Sequence, residues 1–154
     1  MGADKYFRYG PIGLNLNSFS NNLYKSIISG QDFKIFGNNH KTLDGTPVRD
    51  FIHVDDLANI HFESLKYLIK NKKNQICNCG YGKGYSIEQV IKTLLKNKEM
   101  NLNYSFSKKR PGDISYMVAD TKKLNRILNW KPKYSNLKKM IFSELRWRKK
   151  LTNN

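Results

Sequence analysis

A chain of 154 residues with 39% hydrophobic and 12% aromatic content is one domain's worth of protein with material for a packed core, which excludes wholesale disorder and, by length, a complete two-domain cofactor enzyme. Its 28 Lys and Arg against 12 Asp and Glu give a net charge of +16, which attracts polyanions; the basic residues run along the whole chain, so the charge reads as a basic solvated surface rather than a dedicated nucleic-acid site. No run approaches the ~18 consecutive apolar residues of a membrane helix, the first five residues carry no apolar leader, and Tyr6 stands where a myristoylation signal needs Ser or Thr, so a cytoplasmic location is expected.

Residues 5–9 predict a short strand, turned through Gly10, Pro11 and Gly13, and residues 14–20 predict a polar loop. A helix is expected from about Asn21, with Leu23, Ile27 and Ile28 on one face and Gly30 as its C-cap. Residues 33–36 predict a second strand, and residues 38–47 a loop holding the Asp44-Gly45 turn. Residues 48–54 read as extended, and Asp55 or Asp56 caps a helix carrying Leu57, Ile60, Leu65 and Leu68. Residues 75–79 predict a strand, followed by a glycine-rich loop at 80–84. Ser86 and Gln89 form a capping box for a helix whose stripe is Ile87, Val90, Ile91, Leu94 and Leu95. Residues 102–106 predict a strand and residues 108–113 a basic loop. Asp120 or Thr121 opens a short helix with Leu124, Ile127 and Leu128. Ser135 caps the last helix, with Leu137, Met140, Ile141 and Leu145 buried and the tail from Arg146 expected to fray. The pattern predicts an α/β fold with short strands between longer helices. Cys77 and Cys79 read as two small buried thiols in a reducing compartment, because a bridge across one residue is strained and no second cysteine pair completes a zinc site.

Little in the chain announces catalysis. The loop at 80–84 follows a predicted strand and opens a helix, as a dinucleotide fingerprint does, but Tyr85 stands where the third glycine belongs, so it reads as a structural turn. No Gly-x-Ser-x-Gly elbow occurs, and His40, His53 and His61 have no ligand spacing and read as packing or surface histidines. Three segments are suggestive together. A helix start at Asn21-Asn22 and two arginines, Arg49 and Arg110, could clamp a diphosphate, because free amides and guanidinium groups both favour phosphate oxygens. Asp113 could accept from sugar hydroxyls, and Phe36, beside a glycine turn, could stack on a base. Each also has a plain structural reading as cap, ion pair, turn residue or core aromatic.

The run from Asp44 through Asp-Gly-Thr-Pro-Val-Arg-Asp-Phe-Ile-His-Val-Asp-Asp-Leu to Ala58 resembles the UDP-glucose 4-epimerase family, whose pattern there is Asp-Gly-Thr-x-x-Arg-Asp-Tyr-Ile-His-Val-x-Asp-Leu-Ala. Four further stretches agree in order: Asn21-Asn22-Leu23, Ile35-Phe36-Gly37, the glycine-rich loop from Asn78 to Gly84, and Arg110-Pro111-Gly112-Asp113 with Ala119-Asp120 and Leu128-Asn129-Trp130-Lys131-Pro132 after it. The resemblance implies a small mixed α/β substrate-binding domain of an extended short-chain dehydrogenase, without its NAD-binding Rossmann half. Residues 1–13 would be a remnant of the cofactor domain's strand and loop, and residues 14–154 the UDP-sugar-binding C-terminal domain.

The same resemblance implies roles. Asn22 would bind the diphosphate through amide and side chain, Arg49 and Arg110 would neutralise it, and Asp113 would hold the uridine ribose. Phe36 would stack near the uracil while the backbone of Lys34 and Phe36 reads its edge. Phe51 stands where the family has Tyr, and Met117 falls where the family gates which hexose fits, leaving N-acetylated sugars open. The family is NAD-dependent, but its Gly-x-x-Gly-x-x-Gly fingerprint and Tyr-x-x-x-Lys pair lie in a longer N-terminal part and are absent here in their context. The pairs Tyr104 with Lys108 and Tyr134 with Lys138 have the spacing but follow the substrate motifs, and read as chance. The expectation is the UDP-hexose-binding part of a UDP-glucose 4-epimerase of galactose metabolism, inactive as an isolated chain, with a complementing cofactor domain as an open partner. A non-catalytic UDP-sugar-binding module, a decayed gene fragment and a basic nucleic-acid binder are the alternatives.

Overall fold

The computed structural model describes residues 1–12, 18–97 and 100–152. In chain order its elements are α1 (Phe19–Ser29), β1 (Phe33–Phe36), β2 (Val48–Arg49), α2 (Val54–Asn71), β3 (Tyr85–Ser86), α3 (Ile87–Leu95), β4 (Tyr104–Ser107), β5 (Tyr116–Met117), α4 (Lys122–Leu128) and α5 (Leu137–Thr152). This is the small mixed α/β arrangement expected. Two small sheets carry it. β1 and β4 pair in parallel with Phe33 opposite Tyr104, and β2 lies between β3, antiparallel to it, and β5, parallel to it.

Local chemistry explains most boundaries. Ser18 Oγ accepts from Asn21 N at 3.3 Å, so α1 begins ahead of Asn21, and Gly30 closes it at φ +68° as only an unhindered residue does readily. His53, rather than Asp55 or Asp56, caps α2, its Nδ1 accepting from Asp55 N at 3.1 Å. The Ser86–Gln89 capping box forms in both directions and starts α3. Thr121 precedes α4 without capping it, and Asp120 accepts from Lys122 N instead. At α5 the capping acceptor is Asn136, whose Oδ1 takes Lys139 N at 3.0 Å, and not Ser135.

The main core gathers Leu23 and Tyr24 of α1, Phe33 and Ile35 of β1, Val90, Ile91 and Leu94 of α3, Leu102, and Leu137, Met140, Ile141 and Leu145 of α5. A smaller one joins Ile60 of α2, Leu124 of α4 and Trp130.

Several expectations fail for identifiable reasons. Residues 5–9 form no strand. The Asp4 carboxylate accepts from the amides of Arg8 and Tyr9, and from Arg8 Nε at 3.0 Å, which curls the segment into a turn. Of the segment at 48–54 only Val48 and Arg49 are strand, because β3 and β5 are themselves two residues long. The segment at 75–79 has no ladder partner and is not strand. The last turns of α5 do not fray among the described residues: Trp147 and Arg148 are buried, and Arg148 reaches Asn21 Oδ1 at 2.8 Å and Glu144 at 3.0 Å. Cys79 is exposed and Cys77 half-buried, so neither is a core thiol. Most of the loop expected at 14–20, Gly13 of the first turn and the final two residues lie outside the described residues.

Candidate functional site

Three loops converge where β1 ends, β2 ends and the 108–113 loop turns back. The cavity between them measures about 180 Å³ and is walled by Phe36 and Lys34 of β1, Arg49 and Phe51 around β2, and Arg110 and Asp113. Six of the eight residues singled out in the sequence thus share one concavity. Phe19, Phe33, Ile35, Pro47 and Ile87 complete its wall. Phe19 packs edge-on against Phe33 at 5.8 Å and tilted against Phe51 at 5.4 Å, forming an aromatic floor that sequence reasoning missed by placing Phe19 in a loop.

The cations are held differently. Arg49 Nη2 meets Asp113 Oδ1 at 2.7 Å, and Arg49 Nη1 donates to the carbonyls of Val48 and Ile114 at 2.8 and 2.7 Å. Arg49 therefore ties the 110–114 loop to β2. The Arg110 guanidinium lies over the Phe36 ring, 3.6 Å from its centroid, and is otherwise exposed. One arginine is a strut and the other rests on an aromatic face. The Lys34 ammonium points away to Asp32 and Ser105, at 2.7 and 2.8 Å. The Phe36 carbonyl already meets His40 Nε2 at 3.1 Å.

Two singled-out residues stand outside this wall. Asn22 is half-buried in the first turn of α1, and its N–H donates to the Ser18 carbonyl at 3.0 Å, so that amide serves the helix. Met117 lies on β5 opposite Arg49 in register, with its side chain exposed.

The histidines are structural. His40 is buried between Ser115 Oγ and the Phe36 carbonyl, both at 3.1 Å. Buried His53 caps α2, meets Ser143 Oγ at 3.3 Å and stacks on Tyr134 at 4.6 Å; burial pulls its pKa below the ordinary 6.5. His61 binds the Leu57 carbonyl on the surface of α2.

The glycine-rich loop does not suit a dinucleotide. A phosphate cradle needs free amides, yet Tyr81 N and Gly82 N both donate to the Asp50 carboxylate, at 2.9 to 3.1 Å, and Ala119 N joins them at 3.3 Å. A Cβ on Gly80 would strike Asp50 Oδ2, and one on Gly84 would strike Val48 and Val118. These glycines allow close packing against Val48, Asp50, Val118 and Ala119, and a carboxylate occupies the loop's amides. Among the described residues no buried side-chain polar atom lacks a partner. Asp56, fully buried, anchors the same region by accepting from Tyr81 Oη at 2.6 Å, Lys133 N at 3.0 Å and Tyr134 N at 2.8 Å. Burial and this acceptor push the Tyr81 phenol well above its usual range.

A larger concavity, about 1,070 Å³, lies elsewhere. Lys5, Lys96, Lys138, Lys139 and Arg146 surround it, with Phe7, Tyr134 and Phe142 as its apolar part. It concentrates some of the net charge but contains none of the eight residues to which a substrate role was given. No helix of the described residues is long and apolar enough to cross a membrane.

Comparison with known proteins places the chain among relatives. The model of the NAD dependent epimerase/dehydratase family matches residues 8–80. A UDP-glucose 4-epimerase of Lactobacillus helveticus is 37% identical over 129 residues, 83% of this chain and 39% of that protein. A solved UDP-glucose 4-epimerase of Bifidobacterium longum, in complex with NAD+ and UDP, is 31% identical at a TM-score of 0.82, over 99% of this chain and 45% of that one. One from Stenotrophomonas maltophila, with bound NAD and formylated UDP-arabinopyranose, reaches a TM-score of 0.90 at 26% identity, again over 99% of this chain and 46% of the other. The chain thus spans under half the length of each.

Proposed function

The chain belongs to the NAD dependent epimerase/dehydratase family, and we propose that within it the chain is the C-terminal, substrate-binding part of a UDP-hexose 4-epimerase that interconverts UDP-glucose and UDP-galactose in galactose metabolism. The observation that carries this reading is the cavity in which Phe36, Arg49, Arg110 and Asp113 meet. Its pieces match the pieces of a uridine diphosphate. Phe36 offers a flat face to a base. Arg110, lightly held, is free to swing to a phosphate and pair with it bidentately. Asp113 gives one oxygen to Arg49 and has the other for a ribose hydroxyl. Phe51 is part of the wall, and Asn22 and Met117, outside it, are read as contacts of the diphosphate and the hexose.

Size supports a half-site. Ligand pockets run from roughly 300 to 1,000 Å³, and about 180 Å³ holds part of a nucleotide sugar. The remaining walls, the NAD fold and the proton-transfer pair belong to a second half, with residues 1–13 as the join and residues 14–154 as the UDP-sugar domain. On this reading the isolated chain binds UDP but does not epimerise. The two free cysteines, one of them exposed, suit a reducing cytoplasm.

The test is calorimetric titration of the purified chain with UDP at about 0.15 M salt, with CDP and duplex DNA beside it. UDP-selective binding is the expected result. A folded chain that ignores UDP, or that prefers duplex DNA at that salt, overturns the reading. UDP-galactose appearing from UDP-glucose with chain and NAD alone overturns the predicted inactivity.

A further inference from the structure

Two elements supply the proposed uridine contacts, and one side chain touches both. Phe33 N and Gly37 N donate to the carbonyls of Asn103 and Ser107, at 2.8 and 2.9 Å, so these positions face β4. In a strand ladder the alternate residues face the other way. The amides and carbonyls of Lys34 and Phe36 therefore lie on the edge away from β4, and both residues wall the cavity. His40 meets that edge. It is 4% exposed, its Nε2 lies 3.1 Å from the Phe36 carbonyl, and its Nδ1 lies 3.1 Å from Ser115 Oγ. A carbonyl only accepts, so the partners assign the proton to Nε2, and Nδ1 of the neutral ring accepts from the Ser115 hydroxyl.

The ring is held from several sides. Gly37, at φ +90°, lets it cross the backbone, since a Cβ there would stand 2.6 Å from His40 Nε2. His40 N donates to the Gly45 carbonyl at 2.9 Å, and the His40 carbonyl accepts from Thr42 N at 2.8 Å. The Ser115 carbonyl accepts from Val48 N at 2.8 Å. Ser115 follows Asp113 by two residues. Arg49 thus ties Asp113 to β2, while His40 ties the same loop to the end of β1.

We propose that His40 is a positioning residue for base selection: by occupying the Phe36 carbonyl it leaves the Lys34 carbonyl and the Phe36 amide as the pair that a base edge meets. The inference rests on the function proposed above and adds how that site tells one pyrimidine from another. An acceptor followed by a donor matches uracil, whose N3–H donates and whose O4 accepts. Cytosine is reversed, with a bare N3 that accepts and an N4 amino group that donates. Its match is a donor followed by an acceptor, which the Phe36 amide and carbonyl would present if His40 did not hold that carbonyl. Specificity of this kind comes from closing the competitor's site as well as fitting the ligand.

The test titrates UDP and CDP into the parent, His40→Asn and His40→Gln by calorimetry. The Asn amide ends near the Nδ1 position, within reach of Ser115 and short of the Phe36 carbonyl. The Gln amide extends to the Nε2 position. The diphosphates are identical, so the ratio of the two affinities isolates the base, and general damage to the fold would weaken both ligands alike. The parent should prefer UDP. His40→Asn should lower that preference roughly 10-fold, with CDP gaining on UDP, and His40→Gln should restore most of it. A ratio unchanged in His40→Asn overturns the proposal, as does a parent that binds UDP and CDP equally. Long-range proton–nitrogen spectra of the parent decide the matter should the variants not fold. At about pH 8, above the ordinary imidazole range, His40 should carry its proton on Nε2 with and without UDP, and a proton on Nδ1 overturns the assignment. UDP binding with an unchanged ratio defeats the role of His40 alone, whereas a folded parent that binds neither nucleotide defeats the functional reading beneath it.

Discussion

Arg110 and Arg49 face the same cavity, yet removing them should have opposite signatures. The Arg110 side chain rests on Phe36 and is exposed. An exposed cation–π contact is worth about 0.5–1 kcal/mol, which in a domain of this size moves the melting midpoint by roughly 1–4 °C. A charge-assisted hydrogen bond to phosphate is worth about 1.5–3 kcal/mol, or roughly 10- to 150-fold in affinity. Arg110→Ala should therefore weaken UDP binding by that factor while barely changing the melt. Arg49 makes an ion pair and two bonds to carbonyls in a half-buried setting. Arg49→Ala should lose about 2–4 kcal/mol of stability, seen as a lower urea midpoint, before its UDP affinity can be read. Differential scanning fluorimetry and calorimetric titration of the two variants decide it. An Arg110→Ala chain that binds UDP within twofold of the parent refutes the assignment of phosphate contact to that guanidinium.

Three further outcomes follow from the packing. Asp56→Ala leaves Tyr81 Oη and the amides of Lys133 and Tyr134 without their acceptor and should cost about 3 kcal/mol or more, read in the urea midpoint; a loss under about 1 kcal/mol would sink this account. Gly84→Ala drives a methyl into Val48 and Val118 and should cost about 1–3 kcal/mol, with the β2–β3 pairing shifted in amide chemical shifts. Burial lowers the folded-state pKa of His53 below 6.5, so the neutral ring is the form the fold favours. Its contribution is complete above that value and lost as pH falls through it toward the folded pKa. The melting midpoint should drop between about pH 7.5 and pH 5.5, and less steeply in His53→Asn; equal slopes would remove His53 as the cause.

What could be read from the sequence was what is settled within a few residues. The Ser86–Gln89 box, the Gly30 cap and the Asp44-Gly45 turn depend on neighbours in the chain, and all three are where the letters put them. β5 was invisible because Tyr116 and Met117 are both exposed and are strand only because Arg49 lies alongside. Residues 5–9 have strand composition, but one carboxylate at Asp4 captures their amides. The stretch from Arg146 to Lys150 looks like a solvated tail until Arg148 finds a partner 127 residues earlier. Residue chemistry made several of the cavity residues suggestive, but only resemblance to a family pattern gave a reason to join them in one site. Taken singly, Arg49, Arg110 and Asp113 are ordinary loop residues, and no periodicity brings positions 36, 49 and 113 together. Asp50, which holds the glycine-rich loop, β2 and Ala119 at once, could have been suspected only from its place inside that same pattern.

The end of α5 closes on the beginning of the chain. Gly2 N donates to Glu144, Trp147 Nε1 to the Pro11 carbonyl and Lys150 Nζ to the Phe7 carbonyl, across separations of 142, 136 and 143 residues. Closing a loop that long costs about 2 kcal/mol more than closing one of ten residues, and it cannot begin until the last turns of α5 exist. During synthesis the main core would therefore stay open until α5 has supplied Leu137, Met140, Ile141 and Leu145, however early the local caps form. The fold is assembled from short-range decisions and locked by contacts that Glu144, Trp147 and Lys150 make with residues 2–11.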